Sequence, residues 1–162
     1  MIAVCNTSPI SSLVLIERLS LLARQFSQVL IPPEVAQELD AGGEVLGDWR
    51  TSVGATALVP RGVVNRALLT DLSATLHPGE AAAVALAVET ADSILVIDEA
   101  DGRRTAARLG LRITGTVGIL VTAKRLGHIA EVKSLLLDLR TRAGFWLADD
   151  AVRHALELAD ES

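Results

Sequence analysis

The sequence predicts an α/β domain in which a parallel sheet carries helices on both faces. Three observations lead there. Ser93–Glu99 reads S-I-L-V-I-D-E, and its four apolar residues Ile94–Ile97, rich in β-branching, have the form of a strand buried on both sides. Ile2–Cys5 and Gln28–Ile31 are short apolar runs of the same kind. Helical stretches separate these runs, and strands alternating with helices imply crossover connections and a parallel sheet.

Taken in order, Ile2–Cys5 ends in the polar Asn6-Thr7-Ser8-Pro9. Ser8 followed by Pro9 predicts an N-cap and a first helical proline, with Ile10, Leu13, Val14 and Ile16 as the apolar face. Arg18–Phe26 continues helically, Gln28–Ile31 is the next strand, and Pro33 opens a helix over Glu34–Leu39. The glycines of Asp40–Arg50 predict a loop or a short irregular helix, and Thr56–Val59 an edge strand closed by Pro60. Asn65–Leu69 fits no single pattern. Pro78 heads a helix reaching about Thr90, apolar on every side over Ala81–Val88 and therefore central. After the Ser93–Ile97 strand come a helix over Asp101–Leu109, a brief strand at Leu111–Ile113, and helices from Val117, Val132 and Ala148. No repeat or linker interrupts the chain, so residues 1–162 read as one domain.

Composition narrows the function. Half of the residues are hydrophobic, yet there are only two Phe, two Trp and no Tyr, so the core is aliphatic. The net charge of −5 argues against general polyanion binding, which normally shows a basic domain. Cys5 is the single cysteine and lies inside the first strand, which predicts a buried, inert thiol. No apolar run approaches membrane-spanning length and no signal-like segment is visible, so a cytoplasmic location is expected. There is no P-loop, since Gly115-Thr116-Val117-Gly118 is short and lacks the lysine, and His77, His128 and His154 are scattered.

The chemistry that remains is carboxylate chemistry. Residues following parallel strands sit at the edge where open α/β sheets place ligands, which puts Asn6 and Asp98 there. Glu80, in the first turn of the central helix, and Glu38, on one helical face with Glu34, are placed near the same rim. Each has a local alternative: Glu80 has capping-box spacing from His77, Asp98 can cap the next helix, and Asn6 can form a turn. Clustered carboxylates repel unless a cation neutralises them, and oxygen ligands suit Mg²⁺ or Mn²⁺. Such ions activate water and stabilise the leaving oxygen of a phosphodiester, so an acidic protein can cut nucleic acid. Arg103, Arg104 and Arg108 follow Asp98 and form either a solvated face or a grip on a phosphate backbone. Thr116 fits a helix cap, with a hydroxyl able to reach a metal-bound water.

Several ordered motifs resemble the PIN-domain superfamily: V-C-N-T-S-P-I, I-P-P-E-V-A-Q-E-L, H-P-G-E-A-A-A-V-A-L-A, L-V-I-D-E-A-D-G-R-R-T-A-A-R-L-G-L and T-G-T-V-G-I-L. A VapC-like branch with an N-terminal NTSP-type motif is the nearest resemblance. It implies a three-layer α/β/α sandwich around a parallel sheet and an acidic pocket for Mg²⁺ or Mn²⁺. Carried over by position, the metal ligands fall on Asn6, Glu38, Glu80 and Asp98, with Glu99 as an accessory. Thr7 or Ser8 would orient the first of them. The resemblance further implies a metal-dependent ribonuclease acting on RNA, often a toxin inhibited by a small antitoxin protein.

One departure stands out. The first position is usually Asp, and here Asn6 offers a carbonyl oxygen without charge. The expected function is therefore an endoribonuclease, or alternatively a weakened RNA- or protein-binding module. A phosphatase-like use of Asp98 lacks the second aspartate or the lysine expected beside it. Leu13, Leu21 and Leu22, or Leu135–Leu137, are candidate patches for a homodimer or an antitoxin.

Overall fold

The computed structural model describes all 162 residues. The strands are β1 (Ile2–Cys5), β2 (Gln28–Ile31), β3 (Leu58–Pro60), β4 (Ser93–Val96) and β5 (Arg112–Thr114). They pair in the order β3-β2-β1-β4-β5, every pair parallel. The helices are α1 (Thr7–Leu15), α2 (Ser20–Gln25), α3 (Pro33–Asp40), α4 (Gly43–Leu46) and α5 (Arg66–Ser73). They continue as α6 (Pro78–Glu89), α7 (Ala100–Arg108), α8 (Thr116–Arg125), α9 (Lys133–Arg142) and α10 (Asp149–Leu158).

The two-residue period of the strands divides the core. Ala3, Cys5, Val29, Ile31 and Val96 pack with Ile10, Leu13, Leu21, Ile119 and Leu135 on one face. Val4, Leu30, Leu95 and Ile97 pack with Leu69, Leu72, Ala81–Ala87 and Ala106 on the other. The result is the three-layer α/β/α sandwich. In α6 the residues Ala81–Ala87 are all buried, and five of those seven being alanine lets the helix lie close to the sheet. Val88, expected to be buried with them, is exposed at the end of the run.

The chain lays β2 and β3 on one side of β1, then returns to the other side with β4 and β5. The helix after β1 packs on one face and the helix after β4 on the opposite face, so the β1–β4 seam is the switch point of the sheet. Because all strands are parallel, the residues after Cys5, Val96 and Thr114 emerge along one edge beside that seam. Helix α6 precedes β4 in a crossover, which returns its N-terminal turn to the same edge.

Several local expectations are corrected. Asn6, not Ser8, is the N-cap of α1, so Pro9 sits third in the first turn, where a missing N–H is still tolerated. Gly115, not Thr116, caps α8. The edge strand begins at Leu58, because Ala55–Ala57 form a 3₁₀ turn. The ambiguous stretch is α5, whose start is fixed by Asn65 accepting from the Leu68 N–H at 3.0 Å. Leu13, Leu21 and Leu22 form no surface patch, since all three are core residues. Within Leu135–Leu137 only Leu137 is exposed, the outward position of an amphipathic helix. Cys5 is fully buried, and burial pushes its thiol far above the ordinary range. No helix is long and apolar enough to cross a membrane.

Candidate active site

Asn6 leaves β1 at the switch point with 1% of its surface exposed. Its backbone N–H donates to the Val96 carbonyl at 3.0 Å, carrying the β1–β4 ladder one step past the strands. Its side chain then crosses the seam, Nδ2 donating to Glu99 Oε2 at 2.9 Å. The Ser8 hydroxyl donates to the other oxygen of the same carboxylate. Glu99 is the N-cap of α7, and two donors from α1 and its cap fix it in place. The acid expected to be accessory is thus the one in direct contact with Asn6 and Ser8.

Glu80 belongs to the same neighbourhood. It is 6% exposed, and its Oε1 accepts from the His77 N–H at 3.3 Å, the capping-box contact anticipated from spacing. Burial pushes its carboxyl above the usual range, and the negative charges of Glu99 and Asp101 push it further. Gly102, in the first turn of α7, makes room for it: a Cβ there would lie 3.1 Å from Glu80 Oε2 and collide with Ile97.

Glu38 reaches the site from α3. Its Oε1 accepts from the Thr7 hydroxyl at 2.9 Å, and its carboxylate lies directly over Gly79, where any Cβ would overlap it. It is therefore held beside the chain neighbours of both Asn6 and Glu80. Glu34, one turn earlier, carries a buried Oε2 without a partner. The four-residue spacing from Glu38 is the sequence signal for it.

Asp98 is turned toward α8. Thr116 donates to it twice, the backbone N–H to Oδ1 at 2.8 Å and the hydroxyl to Oδ2 at 2.6 Å. Burial raises the Asp98 carboxyl while the Thr116 bonds and the Arg103 charge pull it back. Gly115 permits the contact, since a Cβ there would lie 2.6 Å from Asp98 Oδ1. Arg103 donates to the Ile97 carbonyl at 2.8 Å, and Arg104 pairs with Asp101 on the surface. Each of these groups thus already holds one protein partner, and the Arg104 side chain remains largely exposed.

The predicted residues thus reach one edge of the sheet but do not form a single cup. No group of three or more His, Cys, Asp or Glu side chains is gathered as a metal centre. Besides Glu34 Oε2, two further buried oxygens lack hydrogen-bond partners, Asn6 Oδ1 and Glu80 Oε2, and these belong to residues that both interact with Glu99. Unpartnered buried oxygens are costly, and these are hard donors. They suit a Mg²⁺-type ion held by one or two carboxylates and otherwise by water and phosphate. A cleft of about 380 Å³ opens at Glu99, lined by Thr7, Ser8, Ser11, Asp98, Glu99 and Phe145 among others.

A family model described as a PIN domain matches residues 2–161. No curated protein and no solved structure matches the chain.

Proposed function

This chain belongs to the PIN-domain family, and from that premise we propose that it is a metal-dependent endoribonuclease serving as the toxin of a toxin–antitoxin pair. The observation that carries the reading is the pair of buried, unpartnered oxygens, Asn6 Oδ1 and Glu80 Oε2, the first on a residue bonded to Glu99 and the second on a carboxylate that feels its charge. Glu80, Glu99 and the Asn6 carbonyl would hold Mg²⁺ or Mn²⁺, with Glu38 in reserve beside Gly79. The bound ion supplies positive charge for the phosphodiester and a more acidic water. Ser8 and Asn6 orient Glu99, Thr7 orients Glu38, and the Asp98–Thr116 bonds fix the loop between β4 and α7. Arg103 and Arg104 contribute field rather than direct grip. A homodimer and a small antitoxin belong to the same reading, and of the leucines expected to form such a patch Leu137 is the exposed one.

The test is cleavage of single-stranded RNA by the full chain with Mg²⁺ or Mn²⁺. Activity lost in Glu80→Gln and Glu99→Gln, with circular dichroism unchanged, supports the reading. A wild type that cleaves with neither metal, or a Glu80→Gln variant as active as wild type, sinks it.

A second reading, a PIN module that binds RNA or protein without cutting, is favoured by one observation. The neutral Asn6 amide donates to Glu99, a place where the family's usual Asp would bring charge. Cleavage appearing only in Asn6→Asp would select this second reading.

A further inference from the structure

The chain has two tryptophans, and they are placed oppositely. Trp49 is 4% exposed, whereas Trp146 is 82% exposed. An exposed indole forgoes a large apolar burial, so its position calls for an explanation. Trp146 directly follows Gly144-Phe145, the segment by which the end of α9 lines the acidic cleft opposite Ser8 and Glu99. Gly144 makes the turn with φ +62°, a conformation that suits glycine and redirects the chain out of α9. The last turn of α9 brings Arg140 and Arg142 to the same segment. Both are solvent-accessible, Arg140 bracing the loop at the Leu147 carbonyl and Arg142 pairing with Glu17.

We infer that Trp146 is a stacking platform for an unpaired base of a single-stranded nucleic acid whose backbone enters the Ser8–Glu99 cleft. The inference rests on the nucleic-acid substrate class proposed above, and it adds a positioning residue that does not touch the reacting phosphate. An indole face accepts any base, whereas a base inside a duplex has no free face to offer, so the preference is for single strands. The neighbouring guanidinium groups, each already holding a protein partner, add positive charge that favours the adjacent phosphates. An acidic protein with almost no aromatics thus keeps one large exposed π surface one residue beyond the segment that lines its acidic cleft.

The test is fluorescence and anisotropy on the full-length protein with a labelled ten-nucleotide single-stranded RNA. Because Trp49 is buried, the emission difference between wild type and Trp146→Phe isolates Trp146. Quenching of that emission by the single strand, and not by duplex RNA of equal length, is expected. Trp146→Ala should weaken binding by about 5- to 150-fold, the range for loss of one base–aromatic stack. Trp146→Phe should recover most of it, and melting temperatures should match because the residue is exposed. If the wild type cleaves but Trp146→Ala keeps its affinity and KM, the platform fails and the nuclease reading stands. If quenching and the affinity loss are seen but no metal gives cleavage, the platform stands as part of a binding module. No RNA binding by the wild type overturns both. Emission that is blue-shifted in the free protein and moves red on dilution would place Trp146 against a second copy, and this also overturns the platform.

Discussion

Asn6 Nδ2 and Glu99 Oε2 meet at 2.9 Å across the β1–β4 seam, so an amide proton sits where two acids would otherwise face each other. A neutral donor lets Glu99 and the buried Glu80 coexist without an ion between them. Asn6→Asp removes the donor and adds a charge. A hydrogen bond to a charged partner contributes about 1.5–3 kcal/mol, which at this size corresponds to a melting temperature lower by roughly 3–12 °C. That drop is expected in EDTA at neutral pH, and Mn²⁺ should restore more stability to the variant than to wild type. Equal melting temperatures of the two proteins in EDTA would remove this account of Asn6.

How much of this was legible in the sequence follows the range of the forces involved. Strands buried on both faces announce themselves as apolar runs, and β1, β2 and β4 lie within a residue of where those runs place them. Pro33 and Pro78 mark helix starts because within a helix a ring with no N–H is tolerated only in the first turn. The partition of the acids was not legible. Asp98 and Glu99 are adjacent, and nothing local says which turns to Thr116 and which to Asn6. That choice is made by α8 and α1, distant in sequence. The same holds for Ser8, whose cap signature is satisfied instead by its reach to Glu99.

Thr116→Val tests Asp98 as an anchor. The substitution keeps shape and the backbone bond to Oδ1 but deletes the 2.6 Å hydroxyl bond to Oδ2. A buried carboxylate losing one donor should cost about 1.5–3 kcal/mol, read as a lower denaturant midpoint with unchanged slope. Since that bond lowers the Asp98 carboxyl, the loss should be larger at pH 8 than at pH 5. Thr116→Ser should behave like wild type, and a Ser variant as weak as Val would mean that methyl packing, not the hydroxyl, is what matters.

Gly79→Ala addresses Glu38. The added Cβ overlaps the Glu38 carboxylate, the far end of a flexible side chain, so the side chain swings away while the helix survives. Thr7 then loses its acceptor. Stability should change by less than about 1 kcal/mol, while Mn²⁺ affinity measured by calorimetry falls by roughly 10–100-fold, the scale of supporting contacts around metal sites. Unchanged affinity would take Glu38 out of the ion's surroundings altogether.

The pH dependence of folding isolates Glu80. Its carboxyl is raised by burial first and by Glu99 second, so the folded chain holds that proton more tightly than the unfolded chain does. Stability from this group is therefore fully present below the unfolded value of about 4.3 and is lost as pH rises through the raised folded value. Asp98 is raised also and adds a slope of the same sign, so Glu80 must be separated from it by mutation. Glu80→Gln cannot ionise, and its amide oxygen can still accept the His77 N–H. In EDTA the variant should match or fall slightly below wild type at pH 4, and exceed it by a margin that widens toward pH 8. Added Mn²⁺ should reverse the order at pH 8, because the ion relieves the buried charge in wild type and finds no charge in the variant. A wild-type advantage in EDTA at pH 8 would show that the Glu80 carboxylate is already compensated within the fold, leaving its unpartnered oxygen no call for a cation.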